Sequence, residues 1–213
     1  MDGLRTAERW VVTGGFGIAG VLFLLYPVVR PYSDETTVEG LRVMGTGAWV
    51  VAHLFAVGAF LLVGLALLVG RDPAARWSRA AVATAVGVVP TSAYYGAETF
   101  GLHAVGRWAA REPDPRWLEV VDAIRFQPAA IALFAVGLTA LAVGGVLTAV
   151  ERRTWTALPY ALGFVLFLPQ FFTPPPVRIA HGALLLVGCW LLARDAWRGR
   201  TPGRSPRPRW TRR

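Results

Sequence analysis

The sequence predicts an all-α integral membrane protein, a polytopic helical bundle of about six transmembrane helices. Of its 213 residues, 54% are hydrophobic and only 16% are charged, and the mean hydropathy is +0.46. Uncharged runs of about 20 mostly apolar residues, the length at which a helix crosses the hydrocarbon core, recur along the chain. Composition and run length together therefore indicate membrane-spanning helices.

The apolar runs define the predicted spans and the connections between them. They cover residues 10–29, 48–70, 80–105, 126–150, 158–172 and 179–193. The first run follows Arg5 and Arg9 as a signal peptide would, but no small-x-small cleavage site follows it, so we expect a membrane helix. Pro90 predicts a kink in the third run. Residues 1–194 form the predicted bundle, and residues 195–213 a basic Pro/Arg-rich tail that we expect to be disordered.

The distribution of arginine predicts the topology. All 22 basic residues are arginine, and most of them lie in the amino-terminal segment, in the connections after the second and fourth spans, and in the tail. Positive charge marks the cytoplasmic side, which predicts cytoplasmic termini in a multi-pass protein of the cell (plasma) membrane. The arginines flank spans and form no groove-facing patch, so membrane lipids are the expected partners and nucleic acid is not.

Glu98 is the main exception to the apolar pattern of the spans. It lies in the third run, in the segment Tyr94-Tyr95-Gly-Ala-Glu-Thr-Phe100-Gly-Leu-His103. An ionisable group in a span costs about 2.5–3.5 kcal/mol on insertion scales and usually faces the protein interior or a cavity. Two interpretations are open: a hydrogen bond to a neighbouring helix, or a carboxylic acid that donates a proton while surrounding rings stabilise a cation.

Further polar residues fall in the same half of the predicted bundle as Glu98, and the opposite half of every span is almost purely apolar. His53 shares a helix face with Trp49 and Phe60. It is expected to polarise Glu98, to ligate a metal or haem, or only to bond a backbone carbonyl. The remaining members of this predicted pocket, which opens to the outer side or laterally to lipid, are His103, Gln170 and His181.

Two arginines flank these polar positions. Arg178 lies close to His181, and Arg125 follows Asp122 in a connection predicted to carry a short interfacial helix. Either guanidinium is suited to clamp an anionic group such as a diphosphate or a carboxylate, but arginines that flank a span more often anchor a helix at the membrane surface. Nucleotide-hydrolysis, zincin, α/β-hydrolase and CxxC motifs do not occur.

A small helical membrane protein with the pattern Tyr94-Tyr95-x-x-Glu98 resembles the membrane-bound terpene cyclases of actinobacterial and fungal meroterpenoid and indole-terpenoid pathways. The resemblance implies acid-initiated cyclisation of a lipophilic prenylated small molecule, an isomerase/lyase-type reaction of terpenoid biosynthesis that needs neither a cofactor nor a metal. Glu98 would be the acid, and His53 or Asp122 would orient it or accept the final proton. The cation-shielding rings would be those of Trp49, Phe60, Tyr94, Tyr95 and Phe100, with His103, Gln170, Arg178 and His181 also contacting substrate.

Two other function classes remain open from the sequence. A haem or electron-transfer protein would use His53 and His181 as axial ligands from facing helices. A transporter or non-enzymatic accessory membrane protein would use Glu98 as a proton relay. Carriers usually contain repeated halves, and no internal repeat is evident, which disfavours the transporter.

Overall fold

The computed structural model describes residues 2–70 and 78–199, with side chains from residue 6 onward. This part of the chain is helical and contains no β-strand, which confirms the all-α prediction. Its α-helices are α1 (Asp2–Val29), α2 (Val38–Leu41), α3 (Gly47–Val69), α4 (Arg79–Gly96), α5 (Leu102–Arg111), α6 (Arg116–Arg125), α7 (Pro128–Arg152), α8 (Leu158–Val165) and α9 (Pro175–Trp197). A π-helix, Ala97–Gly101, joins α4 to α5, and 3-10 turns cover Arg42–Gly45, Trp155–Ala157 and Pro169–Phe172.

Four helices in the described ranges are long and apolar enough to cross a membrane. They are Thr6–Val29 within α1, and α3, α7 and α9. The predicted third and fifth spans are helical but do not combine that length with that hydropathy. Polar residues follow Pro90 in α4, and α8 ends at Val165 before Pro169 begins a 3-10 turn. The structure thus supports a membrane protein with four such helices, and the count of six stays a prediction.

Six helices pack side by side in a closed ring. Going round it, α1 packs on α3, α3 on α4, α4 on α7, α7 on α8, α8 on α9, and α9 again on α1. Small residues permit the closest approaches, because a Cβ added to Gly87 of α4 would lie 2.7 Å from the Leu141 nitrogen of α7. At Gly188 of α9 the added Cβ would lie 2.4 Å from the Tyr160 nitrogen of α8.

Aromatic rings fill the centre of the ring of helices. Phe23 of α1 makes edge contacts with Phe60 of α3, Phe164 of α8 and Phe167, at centroid distances of 5.4, 5.7 and 6.1 Å. All four side chains are buried. Edge-to-face contacts stabilise such clusters beyond the area that they bury. Phe60, predicted to contact substrate, is therefore part of the packed core.

A second, smaller core covers one end of the bundle. Its buried residues come from α2, the following 3-10 turn, α3, α5 and α6, and they are Leu41, Met44, Trp49, Leu102, Val105, Ala109 and Val121. A Cβ on Gly106 of α5 would lie 2.3 Å from the Gly45 nitrogen, so α5 rests directly on the 3-10 turn. This core places α6 over the end of α3 and the π-helix.

α9 runs past the boundary predicted for the bundle at residue 194. α9 continues to Trp197, and Asp195 is buried. Asp195 accepts a short hydrogen bond from the Thr156 hydroxyl, which lies in the turn before α8. Buried polar groups therefore also lie at this end of the bundle, just outside the predicted spans. The tail from residue 200 lies outside the described residues.

Candidate functional site

The Glu98 carboxylate lies at the meeting point of three helices. The Arg125 guanidinium of α6 donates from Nε to Oε1 at 2.8 Å and from Nη2 to Oε2 at 3.0 Å, and the Tyr94 hydroxyl donates to Oε1 at 3.2 Å. This is the bidentate fork that pairs a guanidinium with a carboxylate. Glu98 thus forms the predicted bond to a neighbouring helix, and its main partner there is an arginine 27 residues away.

Glu98 belongs to a buried chain of alternating charges, which we call the charge network. Arg125 Nη1 also donates to Glu35 Oε2 at 2.7 Å, and Glu35 Oε1 accepts from Arg30 Nη2 at 2.6 Å. The four side chains are between 9% and 21% exposed. Removing one partner of such a pair leaves a poorly solvated charge, which is strongly destabilising. The network therefore ties α6 to the π-helix and to the loop that follows α1.

The groups of the network outside the predicted spans have shifted pKa values. Burial raises the pKa of the Glu35 carboxyl, but the Arg30 and Arg125 guanidinium groups outweigh burial and hold that pKa below its ordinary value. Burial alone would lower the pKa of Arg125, but the carboxylates of Glu98 and Glu35 raise it above its usual range. Both shifts keep these groups charged near neutral pH.

Trp49 holds the π-helix in place. Its buried indole Nε1 donates to the backbone oxygen of Glu98 at 2.8 Å, while the Leu102 amide donates to the Ala97 oxygen five residues earlier. The Arg30 guanidinium carbon lies 4.9 Å from the Trp49 ring centroid. Single-turn π-helices inside α-helices occur often at functional sites. This one turns Glu98 toward α6 and α3.

His53 lies beside Glu98 but forms no direct hydrogen bond with it. Its Nδ1 bonds the Trp49 backbone oxygen at 2.7 Å, and its Nε2 is 4.0 Å from Glu98 Oε2. Since a carbonyl oxygen only accepts, the proton is assigned to Nδ1, which leaves Nε2 as an acceptor facing the carboxylate. Of the three roles predicted for His53, the hydrogen bond to a backbone carbonyl is the one that this geometry shows.

A cavity of about 470 Å³ opens beside the charge network, and we call it the Glu98 cavity. Its size is within the range of small-molecule sites. It is lined by charged, phenolic and phenyl side chains together, namely Tyr26, Arg30, Tyr32, Ser33, Glu35, His53, Tyr94, Tyr95, Glu98, Arg125, Phe126, Phe134, Phe171, Pro175 and Arg178.

The structure brings six of the residues singled out from the sequence to this cavity: Glu98, His53, Tyr94, Tyr95, Arg125 and Arg178. Two other predicted site residues, Trp49 and Phe60, do not line the cavity but pack against residues that do. Trp49 is fully buried against His53, with ring centroids 4.3 Å apart, and Phe60 contacts Tyr95 at 5.6 Å.

Five other predicted site residues do not line the Glu98 cavity. Asp122 lies on the exposed face of α6, so the residue that α6 contributes is Arg125. Phe100 is 62% exposed, and Gln170 is buried elsewhere. The His103 ring bonds the Met44 oxygen at 3.0 Å, and His181 Nε2 bonds the Gly163 oxygen at 2.7 Å.

The sequence interpretation missed several residues of the cavity. Arg30, Tyr32 and Glu35 lie in the loop after α1, and their only local signal is two opposite charges five residues apart. Phe134 and Phe171 are ordinary residues of apolar segments, and nothing in their spacing distinguishes them. Within residues 2–70 and 78–199, no group of three or more His, Cys, Asp or Glu side chains is placed to hold a metal ion.

The ring of helices and the charged cavity at one end define a helical membrane protein with an ionic pocket. Comparison with protein-family models, with curated proteins and with solved structures found no match to this chain. The arguments for its function therefore rest on the geometry of the Glu98 cavity.

Proposed function

We propose that the chain is a multi-pass protein of the cell membrane that crosses the bilayer six times, with both termini in the cytoplasm. The closed ring supports six crossings, because α4 and α8 each pack between two of the four long apolar helices. α4, the π-helix and α5 form one continuous helical segment, 79–111, which exceeds the length needed for a crossing. The excess of arginine on the side of the termini supports the orientation.

We further propose that the Glu98 cavity binds a lipophilic small molecule. The observation that carries this proposal is the mixed lining of the cavity, where guanidinium and carboxylate groups adjoin the partly exposed rings of Phe126, Phe134 and Phe171. Ligand sites combine mostly apolar walls with a few convergent polar groups. Phe126 is 61% exposed, which gives the cavity an apolar rim.

A photoreactive neutral probe tests this proposal directly. A diazirine analogue of farnesol is added to the purified full chain in phosphatidylcholine nanodiscs, irradiated, and the labelled peptides are mapped by mass spectrometry. We expect labelling to concentrate at Tyr94, Phe134 and Phe171 and to fall when unlabelled farnesol competes. Labelling spread evenly over the exposed faces of α1, α3, α7 and α9, without competition, would contradict a specific site.

The second candidate function is acid-initiated cyclisation of a prenyl chain at the same site. The π-helix favours it, because it places Glu98 beside the Tyr94 hydroxyl and the ring of Tyr95 on the cavity wall. In such a reaction the carboxylic acid protonates a terminal alkene, a second alkene attacks the cation to close a ring, and loss of a proton to the carboxylate restores the acid. Since Arg125 binds both Glu98 oxygens, substrate must first separate the pair.

Paired variants distinguish cyclisation from binding alone. Glu98→Gln is expected to abolish cyclisation of a farnesylated acceptor, and Arg125→Gln is expected to retain it per folded protein, because it leaves Glu98 free to take up a proton. Product formation is measured by mass spectrometry after correction for folded protein. Normal turnover by Glu98→Gln would exclude Glu98 as the acid.

A further inference from the structure

The charges around the Glu98 cavity do not cancel. Three guanidinium groups and two carboxylates line it. Arg30 is paired with Glu35, and Arg125 is paired with both Glu35 and Glu98. Arg178 forms no ion pair within the described part of the chain. One positive charge at the cavity wall is therefore left without a counter-ion from the residues that the structure describes.

Arg178 is held in a fixed position by the backbone. It lies in the first turn of α9, where Nε donates to the Thr173 oxygen at 2.8 Å and Nη2 to the Phe171 oxygen at 2.6 Å. Its Nη1 has no hydrogen-bond partner among residues 6–70 and 78–199. The guanidinium carbon lies 5.7 Å from the Tyr32 ring centroid, and that of Arg30 lies 5.2 Å from the same ring. The chain thus orients the Arg178 side chain and leaves one donor group unused.

Arg125 differs from Arg178 in this respect. All three nitrogens of its guanidinium donate to carboxylate oxygens, two to Glu98 and one to Glu35. Of the two arginines that the sequence offered as anion clamps, only Arg178 has both a donor and a charge available to a ligand.

The apolar side of the cavity adjoins Arg178. The ring of Phe171, whose backbone oxygen accepts from Arg178, lies 5.5 Å from the Phe134 ring, and Phe134 lies 4.4 Å from Tyr94. A molecule with its head at Arg178 would therefore lay its apolar part on Phe171 and Phe134, directed toward the exposed ring of Phe126.

We propose that Arg178 binds the carboxylate or phosphate head group of an acidic amphiphile whose apolar chain lies against Phe171 and Phe134. This inference rests on the proposed function, since it names the chemical class of the lipophilic ligand. A guanidinium with a free N–H forms charge-assisted hydrogen bonds to either anion. The unpaired charge favours an acidic head group over a neutral one of the same chain length.

Ligands of matched chain length test the inference on the purified full chain in neutral detergent. Binding of palmitate, hexadecyl phosphate and hexadecanol is measured by native mass spectrometry, with inorganic phosphate as the head-group source without a chain. We expect palmitate and hexadecyl phosphate to bind about tenfold more tightly than hexadecanol, the discrimination that one charge-assisted hydrogen bond typically supplies. Inorganic phosphate is expected to bind far more weakly than hexadecyl phosphate, and equal affinity would overturn the amphiphile in favour of a free-anion site.

The variant Arg178→Gln is expected to remove the preference, weakening the two acidic ligands about tenfold and leaving hexadecanol within about twofold. Arg178→Lys keeps the charge but lacks the planar fork of the guanidinium, so we expect an intermediate loss of affinity for the two acidic ligands. Arg111→Gln is the matched control, because Arg111 is exposed on α5, contacts the Trp108 ring and lines no part of the cavity.

The outcomes separate this inference from the proposed function. If all three amphiphiles bind the unchanged protein equally, or if Arg178→Gln leaves the acidic ligands unaffected, the head-group assignment is overturned and the lipophilic site stands. An equal loss of palmitate binding in Arg111→Gln would also overturn it. If none of the three amphiphiles binds, the proposed function itself fails. A melting curve for each variant confirms that the comparison uses folded protein.

Discussion

The two ends of the helical bundle both bury acidic side chains, but they pair them differently. At one end, Glu98 and Glu35 share Arg125 of α6, Glu35 also pairs with Arg30, and this charge network borders a cavity. At the other end, Asp195 accepts from the Thr156 hydroxyl, joining α9 to the turn before α8. Glu151 accepts from the Ser78 hydroxyl at 2.9 Å and from the Ala80 amide at 3.2 Å. These hydrogen bonds hold the end of one helix against the start of another, and none of these residues lines the Glu98 cavity.

The difference shows that a buried carboxylate is not by itself a sign of function. Hydroxyl and amide donors bind both oxygens of Glu151 but only one oxygen of Asp195, whose Oδ1 has no hydrogen-bond partner among the described residues, and these bonds join neighbouring helices. Three guanidinium groups around two carboxylates instead leave a net charge and an opening beside Glu98. The partner type and the adjoining space, rather than the burial, distinguish the two ends.

The largest expected effect is the loss of Arg125. Arg125→Gln leaves the carboxylates of Glu98 and Glu35 without their shared partner, and removing one member of a buried ion pair costs about 3–5 kcal/mol. Thermal unfolding in detergent measures the loss. Arg116→Gln on the same helix is the control, because its exposed pairs with Glu112 and Asp114 contribute about 0–1 kcal/mol at most. Adding Glu98→Gln to Arg125→Gln is expected to recover part of the loss, and a further loss would contradict the pairing.

A smaller effect is expected at the opposite end, where Asp195→Ala removes the acceptor of the Thr156 hydroxyl. One intramolecular hydrogen bond contributes about 0.5–1.5 kcal/mol, and the Thr156 hydroxyl keeps the Thr154 hydroxyl as a partner. The unfolding temperature should fall, while labelling of Phe134 and Phe171 by the farnesol probe should stay unchanged. This result would show that the Asp195 hydrogen bond contributes to stability and not to ligand binding. Weaker labelling in the folded variant would show that the two ends are coupled.

Acid pH is expected to destabilise the end of the bundle that contains Glu98, because Glu35 becomes protonated there. Because the pKa of Glu35 in the folded protein lies below the value of 4.5 for a free side chain, its ionised form stabilises the fold above about that pH. The stabilisation is lost as pH falls through the folded-state pKa. Unfolding temperature measured from pH 7 to pH 3 should decline below about 4.5, and Glu35→Gln should flatten that decline. If the unfolding temperature of Glu35→Gln falls with pH as steeply as that of the unchanged protein, other groups cause the acid sensitivity.

The smallest effect is expected from Arg79→Gln. Arg79 lies 3.7 Å from Glu151, but its side chain is 74% exposed. Exposed ion pairs contribute about 0.2–1 kcal/mol. A loss larger than that in chemical unfolding would show that the Glu151 end depends on charge and not on the Ser78 and Ala80 hydrogen bonds.

Residue pattern alone predicts that the chain is helical, that it contains helices of membrane-spanning length, and that Glu98 is an exception in its apolar run. These properties follow from local composition, since run length and hydropathy are read along the chain. The partners of Glu98 depend on the packing of the helices and follow from no local pattern. Arg125 and Glu35 are separated by 90 residues, and their pairing depends on which loops and helix ends meet.

The same reason explains the predicted residues that the structure leaves outside the cavity. Asp122 and Arg125 are neighbours in sequence, but the turn of α6 exposes the first and directs the second to Glu98. The π-helix has no signature in the residue pattern, because it is stabilised by the Trp49 indole from another helix. Hydrophobic runs determined which segments became helices, and long-range ion pairs and packing decided which of their polar side chains share one cavity.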